Sequence, residues 1–462
     1  ETGMNWGRYI TVPVLLALFY IVLMTPLMGR KNGYTVDATP SYQLTKTIVS
    51  VGDWFPDQLR VKQGYIYSIL YIPFYGLGEM IASWNPGVEA DWIRRKCLCW
   101  MNTVITGCTI AVLSLVIRRM KFSRIAQIGI PLIYGCSTMA FNYARYDYNK
   151  PLAGFLLLLA FYYLITGMEK RQTIYAWGTG IALGLLLTIR LEMGVVLPAF
   201  LLGWILLSGS IIDRLRRGAA LLFPCILGIA WVLIYNRMYW SGEVSGGYEG
   251  GFSINPFPGL IGFLFSPGKN IWVFNPVFFL LPVTLRLFRN QRVDLFPYWL
   301  GIVLPIFGLY CFWWNWWGGW GWGPRHLVPL LPFLMLPLTV IVDCGSREYK
   351  IALGGLFLLG MIVQFLGSII DFNDVILALM RSEVTEPELI WNPVWNAVVQ
   401  HTLFFENIEV LRWDWGWMGM ISSLSLTTVL AMLMLWVGIL VALGYGIYQA
   451  SKMPSLTVIR ID

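Results

Sequence analysis

Asp37 stands in the stretch Gly33-Tyr34-Thr35-Val36-Asp37-Ala38-Thr39-Pro40-Ser41-Tyr42, the first hydrophilic segment after an apolar run over residues 9–28. A carboxylate in that setting can take a proton from a hydroxyl group or steer a cation. Three other groupings stand out in a chain otherwise poor in charge. Arg190 and Glu192 interrupt the apolar stretch 174–207. Arg325 and His326 close the run Trp313-Trp314-Asn315-Trp316-Trp317-Gly318-Gly319-Trp320-Gly321-Trp322-Gly323-Pro324. The turn from Asn142 to Pro151 sets Arg145, Asp147 and Lys150 among Tyr143, Tyr146 and Tyr148.

Each grouping admits a chemical reading and a plainer one. A charge at membrane depth costs about 2.5–3.5 kcal/mol on insertion scales, so its presence asks for a function. Arg190 can hold an anion in a cavity while Glu192 orients it; the alternative is a local pair that caps an external turn. Arg145 and Asp147 are substrate-binding candidates, whereas the tyrosines between them also suit interfacial anchoring. An aromatic belt gathers tryptophans too, but belts scatter their rings and need no glycines between them. Glycines allow tight turns and close approach to a ligand, and the indole faces of Trp320 and Trp322 suit the apolar faces of sugar rings. Pro324 fits the first turn of a helix, which leaves Arg325 and His326 beside outward-pointing backbone N–H groups, a setting for phosphate.

These residues are positioned by a membrane protein. Of the 462 residues, 57% are hydrophobic and 13% charged, and the mean hydropathy is +0.64; a soluble domain carries roughly 25% charged residues. Apolar runs of the length needed for a hydrocarbon layer of about 30 Å predict helices, since barrel strands would alternate over much shorter segments. The expected class is all-α, a polytopic transmembrane bundle of about a dozen spans, at residues 9–28, 98–117, 125–141, 152–167, 174–189, 193–207, 219–239, 271–287, 296–314, 327–342, 351–370 and 421–448. Basic clusters follow alternate spans: Arg118, Arg119, Lys121 and Arg124; Lys170 and Arg171; Arg214, Arg216 and Arg217; Arg286, Arg289 and Arg292; Arg347 and Lys350. The positive-inside rule makes these loops and both chain ends cytoplasmic. Asp37, Arg190 and Arg325 then lie on the other side, periplasmic or extracellular.

The net charge of +8 is accounted for by this topology and by anionic lipid headgroups, and no nucleic-acid motif is present. Residues 4–462 read as one domain, and the first span, without a small-residue cleavage site, reads as a retained anchor. Three long external segments are expected, 29–96, 240–270 and 371–420, the first with interfacial helices: 41–51 is amphipathic, and 65–81 is apolar with Pro73, Gly76 and Gly78 inside it. The segment 240–270, rich in glycine, reads either as a mobile lid or as an ordinary connection. The seven cysteines are scattered and suit packing better than a disulfide framework.

The first-loop acid, the segment Lys62-Gln63-Gly64-Tyr65-Ile66-Tyr67-Ser68 with Pro73-Phe74-Tyr75-Gly76-Leu77-Gly78, and Trp317 through His326 together resemble the GT-C class of integral-membrane glycosyltransferases. The similarity is to the bacterial branch related to protein O-mannosyltransferases and lipid A aminoarabinose transferases. It implies a polyprenyl-phosphate-linked sugar as donor, inversion at the anomeric carbon, and Asp37 as the general base that deprotonates an acceptor hydroxyl. It also implies that Lys62, Arg325 and His326 meet the donor phosphate, with Arg190 a further candidate. Many members pair two acids in this loop; here Ala38 follows Asp37, so transfer without a metal or other cofactor is expected.

Two other classes compete. A transporter or lipid flippase would place charges near the midplane and break helices in two matching halves, whereas here the charges gather toward one face. A ligase moving whole oligosaccharides from a lipid diphosphate would share the external site and would ignore a monophosphate-linked monosaccharide.

Overall fold

Long apolar runs satisfy their own backbone hydrogen bonds by coiling, which is the solution a hydrocarbon environment demands. The computed structural model describes residues 6–27, 35–241, 251–369 and 426–452, apart from single positions 58, 63, 267 and 320. In chain order its helices are α1 (Trp6–Met24), α2 (Thr39–Val51), α3 (Tyr65–Leu70), α4 (Ile72–Trp84), α5 (Ala90–Arg119), α6 (Arg124–Ser137), α7 (Ala140–Tyr143), α8 (Lys150–Lys170), α9 (Thr173–Ile189), α10 (Leu197–Ile205), α11 (Ile211–Tyr239), α12 (Phe257–Phe265), α13 (Ile271–Phe274), α14 (Leu281–Gln291), α15 (Phe296–Cys311), α16 (Leu331–Met335), α17 (Thr339–Cys344), α18 (Arg347–Ile369) and α19 (Leu426–Lys452). Among the described residues the one β feature is an isolated bridge between Phe252 and Trp313.

Each apolar segment expected to span is helical where described, but prolines break several of them. Segment 271–287 is α13, a 3-10 turn Pro276–Leu280, then α14. Segment 327–342 is split into 3-10 turns and the short helices α16 and α17, with Pro329, Pro332 and Pro337 along it. By length and composition, six helical stretches among the described residues could cross a membrane: Ala90–Arg119, Lys150–Lys170, Ile211–Tyr239, Arg325–Cys344, Arg347–Ser368 and Leu433–Lys452. Ile10–Met24, Thr173–Ile189, Leu191–Ile205 and Phe296–Cys311 are apolar but shorter. Both extreme ends and the segment 371–420 lie outside the described residues.

The first loop is helical where helices are expected. α2 buries Ser41, Tyr42, Leu44, Thr45 and Ile48, while Val49 is exposed. The stretch 65–81 breaks at Tyr71, ahead of Pro73, into α3 and α4. α5 forms the spine, packed against α1, α4, α6 and α8. α9 and α11 touch through glycines: a Cβ on Gly228 would lie 2.4 Å from the carbonyl oxygen of Gly184, the close backbone approach that small residues permit. No disulfide joins any of the seven cysteines, and Cys344 is exposed.

α8 separates two differently built ends. At its C-terminal end Arg119 pairs with Glu169 at 2.7 Å, Ser123 donates its N–H and hydroxyl to Asp343, and Arg124 bonds the carbonyl of Ser451. Residues of two of the basic clusters also meet near there, Lys121 and Arg292 lining one cavity. The Asp37, Arg190 and Arg325 groups gather at its N-terminal end, roughly 30 Å away at the helical rise of 1.5 Å per residue.

Candidate active site

Asp37 lies in a 3-10 turn, Val36–Ala38, that runs into α2, where Pro40 supplies an early helical φ. The carboxylate is exposed, with 54% of its side chain accessible, and pairs with Arg325 at 3.2 Å across 288 residues of sequence. The turn is fixed two residues earlier. The buried N–H of Thr35 donates to both carboxylate oxygens of Asp147, at 3.0 and 3.3 Å.

The turn before α8 is the junction of the site. α5 holds it from behind: Asn102 donates to the carbonyls of Tyr146 and Tyr148, and Thr103 to that of Ala144 at 2.9 Å. Tyr71 donates its hydroxyl to the carbonyl of Asp147. From this frame Asp147 reaches Thr35, Tyr148 lies 5.7 Å from the Arg325 guanidinium, and Asn149 accepts from Arg190 at 3.2 Å.

Arg190 ends α9 with an extended backbone, which turns its side chain toward this junction. Its Nε and Nη2 both reach Glu192 Oε1, at 2.8 and 2.5 Å, and Tyr310 donates to the same oxygen at 3.2 Å. Tyr310 also stacks on His326, centroids 4.7 Å apart and planes 21° from parallel. His326 Nε2 is 3.1 Å from the carbonyl of Asn315. A carbonyl only accepts, so Nε2 carries the proton in that contact.

The tryptophan-glycine run is a folded clamp around Arg325. Gly318, Gly319 and Gly323 have φ of 76°, 65° and 61°, the left-handed region open to glycine at little cost. A Cβ on Gly318 would meet Arg325 Cγ at 2.6 Å, so the glycine gives the arginine its path. Asn315 Oδ1 accepts from the N–H groups of Gly318 and Gly319. Lys269 donates to the carbonyls of Gly319, Gly321 and Gly323, at 2.7, 2.6 and 3.5 Å. The described end of segment 240–270 is thus tied to the run, and Ser253 and Trp314 add backbone bonds between the two.

The structure brings Asp37, Arg190, Glu192, Arg325 and His326 to one end of α8. It gives three other candidates different surroundings. Asp147 anchors the backbone of Thr35. Arg145 is fully buried, 5.5 Å from the Tyr146 ring, because the turn points it inward. Trp322 is enclosed, its indole N–H on Gln364, its ring edge-on to Phe274 and against Gly367, so its faces are taken up by packing. Lys62 is exposed in the turn before α3, and Trp320 lies outside the described residues. Tyr310, Asn149 and Lys269 carried no signal of their own in the sequence; a polar residue flanking a helix end was the most that could be read at Asn149.

No protein-family model matches the chain, and no curated protein matches it. Its fold matches two crystal structures of ArnT from Cupriavidus metallidurans. With the structure bound to undecaprenyl phosphate the TM-score is 0.52 at 15% identity, over 97% of this chain and 76% of that one. With the apo structure it is 0.51 at 14% identity, over 95% and 74%. The chain therefore has the fold of ArnT, a lipid A aminoarabinose transferase of the GT-C class, and is an integral membrane protein. That is the class to which the first-loop and tryptophan-glycine motifs pointed.

Proposed function

We propose that the protein transfers a sugar from a polyprenyl-phosphate donor to an acceptor hydroxyl at the non-cytoplasmic face of the membrane, with inversion. The observation that carries this reading is the Asp37–Arg325 pair: an exposed carboxylate beside a cluster of cations, on a fold whose solved example binds undecaprenyl phosphate. Basic residues near the opposite end of α8 support that sidedness.

In this reaction the acceptor oxygen attacks the anomeric carbon from the face opposite the phosphate. Its proton passes to Asp37. The bond between the anomeric carbon and the phosphate oxygen breaks, its electron pair stays on that oxygen, and polyprenyl phosphate leaves. Negative charge grows on the phosphate as the bond lengthens, so preplaced cations stabilise the transition state more than the ground state. Arg190 is held for that role by Glu192 and Asn149. Arg325 neutralises Asp37 until a donor phosphate competes for it, which releases the carboxylate to act as base. Lys62 and His326 complete the phosphate side, Trp320 is the remaining indole assigned to sugar binding, and membrane lipids surround the bundle. The acceptor is a glycan, lipid or protein hydroxyl.

The test is sugar transfer by wild type and Asp37→Asn, with radiolabelled polyprenyl-phosphate sugars and an envelope extract as acceptor. General-base assistance contributes about 10²- to 10⁴-fold, so the variant should lose that much turnover while still binding donor. Equal turnover by the two proteins would remove Asp37 from the mechanism, and failure of wild type to bind any such donor would favour transport.

A further inference from the structure

The junction before α8 contains one lysine that no described residue meets with a hydrogen bond or an ion pair. Lys150 is only 7% exposed. Among the described residues its ammonium takes part in no hydrogen bond and no ion pair; its nearest aromatic ring is Tyr148, at 6.0 Å, the ring that also faces Arg325. Asp37, Glu192, Arg190 and Arg325 are all within electrostatic reach of it. Both carboxylates in that group are already paired, Asp37 with Arg325 and Glu192 with Arg190.

An ammonium carries three donors, and withdrawing one from water costs several kcal/mol unless an anion compensates. Two neighbouring guanidiniums add to that cost. A buried cation of this kind, beside the exposed carboxylate of Asp37, is suited to hold an anion. Its depth narrows the class of anion. Lys150 opens a 21-residue membrane-length helix, so its ammonium lies at the boundary between hydrocarbon and water, the level of a lipid headgroup.

We infer that Lys150 Nζ makes the principal contact to the lipid-linked phosphate, a diester in the sugar donor and a monoester in the departing polyprenyl phosphate, with Arg190 and Arg325 flanking it. The inference rests on the transferase reading and adds to it the residue whose donors are open to the ligand. A compact ammonium suits a phosphate whose orientation changes during the reaction, whereas a guanidinium fork fixes one geometry.

The test measures binding of undecaprenyl phosphate to detergent-solubilised wild type, Lys150→Gln, Lys150→Met and Lys150→Arg, read as the ligand-induced rise in Tm, with inorganic phosphate as a parallel arm. The expected result is a loss of affinity of about tenfold or more in the Gln and Met variants, the usual order for one charge-assisted contact, and partial retention in Arg. The unliganded Tm of Lys150→Met should equal or exceed that of wild type, because an uncompensated charge has gone. Unchanged affinity in Lys150→Gln overturns the inference and leaves the transferase reading intact. A lower unliganded Tm in the Met variant with undiminished binding also overturns it, by making the lysine structural. An equal response of wild type to inorganic phosphate overturns the lipid assignment, and no response of wild type to undecaprenyl phosphate removes both readings.

Discussion

The Asp147 carboxylate accepts the backbone N–H of Thr35 with both oxygens, although 112 residues separate them. Asp37 is two residues beyond that bond, so a buried acid aims an exposed one. Asp147→Ala should lower turnover by roughly 10²-fold, the scale of a 1 Å misplacement, with donor affinity largely kept. Comparing kcat with donor Kd checks it; a change confined to donor affinity would give Asp147 a direct ligand role.

Arg325 pairs with Asp37 and, in the proposed reaction, meets the donor phosphate. Arg325→Lys removes the planar fork while keeping the charge. Turnover and donor affinity should both fall, and the loss should exceed that expected for a like-charged substitution on the surface. Steady-state kinetics at two donor concentrations would reveal it, and wild-type values would refute it.

Lys269 holds three glycine carbonyls that would otherwise face one another. Lys269→Met leaves buried acceptors unsatisfied, at about 1–3 kcal/mol for such a group. A lower Tm and a weakened donor KM are the expected outcome, with Lys269→Arg restoring part of both.

The contact of α9 with α11 offers a stability test remote from the chemistry. Gly228→Leu drives a side chain into the Gly184 backbone and should cost about 1–3 kcal/mol, as overpacking does. Thermal unfolding in detergent measures it; an unchanged Tm would mean the two helices separate freely.

The carboxylate that would have to bind a metal in the first loop is already countered by Arg325 and is followed by Ala38. Transfer should therefore survive chelation. Activity lost to a chelator and restored by magnesium or manganese would contradict this.

The helical class and the residues at the site were legible because apolar length and isolated charge survive translation into three dimensions with little dependence on packing. Asp37, Arg190, Glu192, Arg325 and His326 could each be picked out in this way. What could not be read was which charges face each other. Arg145 and Asp147 differ from Lys150 in sequence by a few positions, yet one is buried against Tyr146, one ties down Thr35, and one is left open. Those fates depend on Asn102 and Thr103 of α5 gripping the turn from behind, a contact across tens of residues that no local pattern announces. The proline breaks were visible as residues, but the apolar runs around them concealed that 271–287 and 327–342 are not single rods.

The stretch Arg325–Cys344 is mostly buried within the protein and is interrupted by proline-rich 3-10 turns. Loosened backbone of that kind leaves carbonyls that lipid cannot satisfy. During biosynthesis this stretch cannot wait alone in the bilayer as a finished helix; it has to be received by α6 and α8, which are made before it. The arginine at its head is therefore delivered to the site as a late event of assembly, and a fault in earlier helices would be expressed first as a failure to insert this one.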